Sequence, residues 1–413
     1  NGDKNRRNFV KFLLASPLFN LAHMARASDE LEPDKNALDP DLEYLLSIKK
    51  KLIAAPEEAL TIFDLEAVAR NSLPPAHYGY IATGVTDEQT QIANRRAYKN
   101  IRLKARRMKD VREIEKSVTI FGRTWPSPIA IAPTGSQGAY HSDAELAVAR
   151  AAKEKDQLMM LSGVASTSIE EVNEARGEPV WSQLYARAHW PSSLKMIKRA
   201  ENAGCPVLVL TVDLVGSGRR ETLSKFIEQD TRDCAICHGE VRSSFRGRPM
   251  FDGVDLDAYL ESGVLFNWDL VDKIRDTTNM KLVIKGITHP DDAKQCLRHG
   301  VDGIMVSNHG GRGQVNARGT IEVLPDIIKA VRGKIPVLVD GGIRRGSDVY
   351  KALALGATAV DIGRPYLWGL GSFGQAGVER VLDIFDAELN RVMQQMGTIS
   401  INQISANSLS IKS

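Results

Sequence analysis

The stretch Gly303-Ile304-Met305-Val306-Ser307-Asn308-His309-Gly310-Gly311-Arg312 decides the fold, because its form recurs along the chain. An apolar run of this length suits a buried strand, and the polar and glycine residues after it end the strand in a loop. Similar runs occupy residues 128–133, 158–163, 179–185, 207–213, 281–286, 336–342 and 359–365, each followed by helical periodicity. With residues 303–308 that makes eight strands. Seven βα units would leave a barrel open, whereas eight close it, so the chain is expected to be an α/β protein built as a (β/α)8 TIM barrel. An open doubly wound sheet is the alternative, but its glycine-rich dinucleotide fingerprint is absent.

Working outward, the repeat is even except between the fourth and fifth strands, where residues 214–267 form a charged, glycine-rich insertion. Long loops after barrel strands are usually lids or binding loops. Residues 61–97 carry helical periodicity, with a plausible cap at Thr61, and residues 78–84 are expected to break into a loop. The barrel with its helical lead-in is therefore placed at 61–405, with a short tail at 406–413. Residues 28–60 are read as a linker and N-terminal extension, since Asp29 to Asp41 is acidic and proline-punctuated.

Residues 1–27 contain paired Arg6-Arg7, a short apolar region and the small-x-small triplet Ala25-Arg26-Ala27. This pattern resembles a twin-arginine export signal. It leads to the expectation of a periplasmic protein; an amphipathic helix on a cytoplasmic protein is the alternative.

The composition is ordinary for a globular chain, with 43% hydrophobic and 25% charged residues. A formal charge of +3 spread along the chain gives no footing for nucleic acid. The basic run 102–112 reads as a solvated face. No apolar stretch is long enough to cross a bilayer. Cys205 and Cys296 fall in strand and helix patterns and are expected to be buried and inert.

Catalytic groups of such barrels sit at the C-terminal strand ends. Those ends carry Pro133-Thr134-Gly135, Ser162, Gln183 with Tyr185, Thr211 with Asp213, and Lys285. They continue with Ser307 and His309-x-x-Arg312, Asp340-Gly341-Gly342-Ile343-Arg344, and Gly363-Arg364. An imidazole can take a proton while a guanidinium grips a carboxylate in a two-pronged way. The last two ends suit a phosphate, since glycines admit a close backbone approach and helix N-termini point N–H groups at an anion. Arg344 and Arg364 would neutralise its charge. Lys285 could stabilise negative charge on a flavin ring.

Three blocks carry a family resemblance. They are Leu210-Thr211-Val212-Asp213 with Gly218-Arg219-Arg220-Glu221, the stretch 307–312, and 340–346 with Ile362-Gly363-Arg364-Pro365. In this order they resemble the FMN-dependent α-hydroxy acid oxidases and dehydrogenases, over roughly residues 61–405. The resemblance implies His309 as the active-site base, Asp213 as its acidic partner, and Tyr80, Arg220 and Arg312 as the clamp for the substrate carboxylate. It implies Tyr185 near the substrate hydroxyl. Ser162, Gln183, Thr211, Lys285 and Ser307 match flavin contacts, with the backbone of Pro133, Thr134 and Gly135 beside the ring. It also implies a homo-oligomer, often a tetramer. The chain departs from the family at Gly313-Gln314-Val315, where Gln-Leu-Asp is usual, and at Val164, where some members have an aromatic residue. It departs again at Gly135, where many oxidases have alanine; glycine there is similar to mandelate dehydrogenase and leans toward an acceptor other than oxygen.

The insertion contains Cys234-Ala235-Ile236-Cys237-His238, the form that attaches c-type haem. Met250 is a candidate second axial ligand, and a disulfide between the two cysteines is the alternative. The expectation is thus an FMN-dependent L-2-hydroxy acid dehydrogenase acting on a lactate-like acid. Its electrons would leave through a possible covalent haem to a cytochrome or a quinone-linked acceptor. An oxygen-using oxidase without haem and a flavin-binding electron-transfer or scaffold protein are the alternatives.

Overall fold

The computed structural model describes residues 52–216, 218–232 and 245–411. Eight parallel strands close into a barrel: β1 (Ile129–Ile131), β2 (Leu158–Leu161), β3 (Trp181–Leu184), β4 (Val207–Thr211), β5 (Lys281–Lys285), β6 (Gly303–Val306), β7 (Val337–Val339) and β8 (Ala359–Ile362). Each lies inside one of the expected runs. The expected ends extend further because the polar residues past each strand leave the ladder and turn into the mouth.

Three helices precede the barrel: α1 (Ile62–Ser72), α2 (Pro75–Ala82) and α3 (Gln89–Lys99). Those that follow the strands include α4 (Ala144–Glu154), α5 (Ile169–Arg176), α6 (Trp190–Asn202), α7 (Glu221–Glu228), α8 (Leu256–Glu261), α9 (Trp268–Arg275), α10 (Pro290–Arg298), α11 (Thr320–Val331), α12 (Gly346–Ala354) and α13 (Arg364–Met396). Local chemistry sets their ends. Helix α5, for instance, starts at a reciprocal cap between Ser168 and Glu171 and stops at Gly177 in the left-handed conformation.

The strand period of two sorts side chains into two cores. One face of each strand packs outward against the helices in a large cluster that includes Ile131, Leu161, Leu208, Ile284 and Val306. The other face fills the barrel with Ala130, Met160, Trp181, Val209, Val283, Met305, Leu338 and Ala359. A hairpin of strands Val118–Ile120 and Arg123–Trp125 adds Val118, Ile120 and Trp125 to this inner cluster.

Three expectations need correction. Residues 78–82 are helical, within α2, because Pro75 at its first position starts a helix that runs to the carbonyls capped below. Residues 406–411 are no free tail: Leu409–Ile411 pairs antiparallel with Ile101–Leu103. The described end of the expected linker is docked, with Arg380 donating to the carbonyl of the buried Ala59. Cys205 and Cys296 are buried free thiols, and burial pushes both up to about 12. Among the described residues no helix is long and apolar enough to cross a membrane.

Candidate active site

Moving two residues along each strand from the inner apolar layer gives the floor of the barrel mouth. Met160 is followed by Ser162, Trp181 by Gln183, Val209 by Thr211 and Val283 by Lys285. Met305 is followed by Ser307, Leu338 by Asp340 and Ala359 by Asp361; only β1 contributes an apolar residue, Ala132. All are buried. Buried polar groups need partners, and most find them in each other. Gln183 donates to Thr211 Oγ1 at 2.9 Å, and its Oε1 accepts from Gly163 N at 3.0 Å. Lys285 donates to Ser307 Oγ at 2.7 Å, and Ser307 donates to Asp340 Oδ2 at 2.8 Å. Lys285 Nζ also lies 3.5 Å from Asp213 and 3.4 Å from Asp340. Burial works against the charge on Lys285, but the two carboxylates outweigh it and raise its pKa, so it stays an ammonium.

His309 stands just past β6. Its Nδ1 is 2.7 Å from Asp213 Oδ1, and its Nε2 is 3.4 Å from the Tyr185 hydroxyl. The backbone here is left-handed for three residues, His309, Gly310 and Gly311, with φ of 59°, 63° and 84°. Such a turn is costly for a residue with a side chain. It is held by Ser307 Oγ, which accepts from His309 N, and by Gly311 N donating to the Asn308 carbonyl. Burial pushes the imidazole below its usual value, and Asp213 only partly offsets this. Burial would raise the Asp213 carboxyl, but His309 and Lys285 hold it down at about 2. The resting pair is therefore a neutral imidazole beside a carboxylate.

Tyr80, on α2, lies between two guanidinium groups: Arg220 is 4.7 Å and Arg312 5.0 Å from the ring centre. The residue is 40% exposed; crowding around the hydroxyl would raise the phenol, but the two cations outweigh it and lower its pKa. Arg312 also caps the C-terminal end of α2, donating to the carbonyls of Tyr80, Ile81 and Thr83. These hydrogen bonds fix the Arg312 side chain. The Nη1 group of Arg312 makes no hydrogen bond among the described residues, which leaves donors for an anion. Tyr80, Tyr185, Arg312 and His309 all line one cleft.

The same cleft extends over Asp340, Gly341, Gly342, Arg344, Gly363 and Arg364. Arg364 donates to Ile81 O, Thr83 O, Gly310 O and Gln91 Oε1 at 2.7–3.0 Å, which fixes the guanidinium in place. It ties α2, α3 and the His309 loop together. Arg344 stacks 4.8 Å over Trp368; burial, then the neighbouring Arg95, lowers its pKa to about 10, so it remains a cation. The glycines and the N-terminal N–H groups of α13 carry the rest of the anion-binding chemistry.

Several residues that shape the site were missed. Asn94, on α3, exchanges two hydrogen bonds with Asn308, at 2.8 and 2.9 Å. Glu145, fully buried, accepts from Gln137 N, Ser166 N and Thr167 Oγ1 and so joins the loops after β1 and β2. Arg248, from the insertion, donates to Ser136 Oγ and the Val164 carbonyl. None of these has a sequence signal of its own. Asp361 does: it is an acid at an inward position of an apolar strand.

Cys234, Cys237 and His238 lie outside the described residues. Met250 is 6% exposed in a 3-10 turn and belongs to the hydrophobic core, so its burial is accounted for by packing.

Flavin mononucleotide fits what the cleft leaves open. Among the described residues, Thr134 Oγ1, Asp340 Oδ1 and both oxygens of Asp361 are buried without a hydrogen-bond partner. A Cβ on Gly363 would meet nothing within 4 Å, so the backbone there is open to close approach. The family model for FMN-dependent dehydrogenases matches residues 69–411. L-lactate oxidase of Lysinibacillus sphaericus is 37% identical over 380 residues, covering 89% of this chain and 95% of that protein. 2-Hydroxyacid oxidase 1 of Mus musculus is 38% identical over 349 residues, covering 83% and 94%. A crystal structure of mandelate oxidase superposes with a TM-score of 0.76 at 35% identity, covering 85% of this chain and 98% of that one. Neither the family match nor these relatives support the haem expectation or a cytochrome or quinone acceptor. The chain belongs to the FMN-dependent dehydrogenase family and is an FMN-dependent oxidoreductase acting on the CH–OH group of a 2-hydroxy acid.

Proposed function

We propose that this protein oxidises a lactate-like L-2-hydroxy acid to the 2-oxo acid and reduces molecular oxygen to hydrogen peroxide. The observation that carries the reading is the neutral His309 backed by the Asp213 carboxylate, in one cleft with Tyr80 and Arg312. The substrate carboxylate is taken by Arg312, Arg220 and Tyr80, and the two guanidinium charges fix which end of the acid faces inward. Tyr185, whose pKa burial raises, stays protonated and donates a hydrogen bond near the substrate hydroxyl. His309 Nε2 accepts a proton from the substrate. The imidazolium so formed is stabilised by Asp213 across 2.7 Å. Bound FMN supplies the two-electron acceptor. Ser162, Gln183, Thr211, Lys285 and Ser307 would hold its ring system, with Lys285 supplying a fixed positive charge. The backbone of residues 133–135 would contact it as well, and Gly342, Arg344, Gly363 and the N-terminal end of α13 would hold its phosphate.

Oxygen as acceptor is supported by the relatives, which are named as oxidases. Gly135 no longer argues otherwise. A Cβ there would collide with Val164 Cγ2 and lie 2.9 Å from the Val164 carbonyl. The glycine answers to its neighbour, so it says nothing about the acceptor.

The test is anaerobic mixing with L-lactate, L-mandelate and glycolate, followed by air. The expected result is bleaching of the flavin by at least one acid, then reoxidation in air with one hydrogen peroxide per 2-oxo acid. Reoxidation by a quinone or cytochrome but not by air would overturn the oxidase reading.

A further inference from the structure

Asp361 is the member of the floor that the reaction does not use. It sits on β8, two residues beyond Ala359 of the apolar layer and two before Gly363. It is 1% exposed, both its oxygens lack a hydrogen-bond partner among the described residues, and it lines the cleft. A carboxyl so buried must either be paired or be neutral. Pairing is missing: the register puts Ala130 of β1 beside it, and Ala132 follows in the mouth. The charged groups acting on it are Asp340 from β7, which repels its charge, and Lys285 from β5, which is already shared by Asp213 and Asp340. Burial first, and Asp340 second, raise its pKa well above the usual carboxylate range. A neutral carboxyl has one O–H donor and one free acceptor. An alcohol has the complementary pair.

We infer that Asp361 is a cofactor-binding residue, a protonated carboxyl that exchanges hydrogen bonds with a hydroxyl of the ribityl chain of FMN. The inference rests on the cleft being the FMN site. The polyol is the hydroxyl-bearing part of that cofactor. Asp361 stands on the strand whose end, Gly363, opens toward the phosphate, and beside the strand that carries Asp340 and the glycine turn.

Three flavins separate the possibilities, with dissociation constants read from flavin fluorescence on apoprotein reconstituted in vitro. FMN and riboflavin carry the ribityl chain; lumiflavin does not. Wild-type protein binding FMN confirms the site itself. Asp361→Ala should weaken FMN and riboflavin by a similar factor, up to about tenfold for one hydrogen bond, and leave lumiflavin unchanged. Asp361→Asn, which keeps a donor and an acceptor, should bind all three as wild type does at neutral pH. The two proteins should part at high pH: wild-type FMN affinity falls as Asp361 ionises, while the Asn variant stays flat. Equal weakening of lumiflavin, or no weakening of FMN, would overturn the assignment. Should Asp361→Ala not fold, the Asn comparison decides: a parallel pH profile in the two proteins would also overturn it.

Discussion

Val164 occupies the space that any side chain at residue 135 would need. A Cβ built on Gly135 would run into Val164 Cγ2, and the Val164 carbonyl is itself fixed by Arg248 from the insertion. The two residues, from the loops after β1 and β2, are thus chosen together. Gly135→Ala should destabilise the protein by about 1–3 kcal/mol through overpacking. Adding Val164→Ala should recover most of that loss. Thermal unfolding of the two single variants and the double variant measures the coupling; strictly additive effects would show that the contact does not matter.

His309→Ala should retain FMN and lose flavin reduction by about 10²–10⁴-fold or more. Stopped-flow reduction checks this, and near-normal rates would remove His309 as the base.

The acid limb of kcat/KM should report His309. The base must be neutral, so activity is lost as pH falls through its pKa, which burial places below the usual value of about 6.5. Asp213 acts in the opposite direction and raises that pKa. Asp213→Asn should therefore move the acid limb to lower pH while lowering kcat, because the imidazolium loses its counter-charge. A limb that moves to higher pH would contradict the pairing.

Arg364 and Arg344 should behave differently. Arg364→Ala removes four hydrogen bonds that join α2, α3 and the His309 loop. It should cost at least about 1.5–3 kcal/mol of stability, the scale of one charge-assisted bond, and loosen FMN as a consequence. Arg344→Ala should loosen FMN with a smaller loss of stability. Paired measurements of unfolding and FMN retention distinguish the two; equal stability in both variants would contradict the bracing role of Arg364.

Export is proposed from Arg6-Arg7 with the apolar region and the Ala25-Arg26-Ala27 triplet that follow, all outside the described residues. Replacing both with lysine in the full chain should hold the protein in the cytoplasm. Cell fractionation with unchanged periplasmic activity would sink the proposal.

The sequence by itself determined the barrel. Eight apolar runs with polar ends, each trailed by helical periodicity, admit few other folds, since strand burial and the period of two are local properties. It also determined the chemistry at the strand ends, because His309, Asp213 and Lys285 occupy places where an apolar core would not tolerate them. The tertiary structure decided what those groups touch. That Arg312 and Arg364 both cap the end of α2 depends on a helix more than 200 residues away in sequence. That Gly135 belongs with Val164, and Asn94 with Asn308, depends on segments that meet only when the barrel closes. Asp361 falls between the two cases. Its inward phase could be counted from Ala359, but its isolation could not, because a missing partner is a property of every strand around it at once.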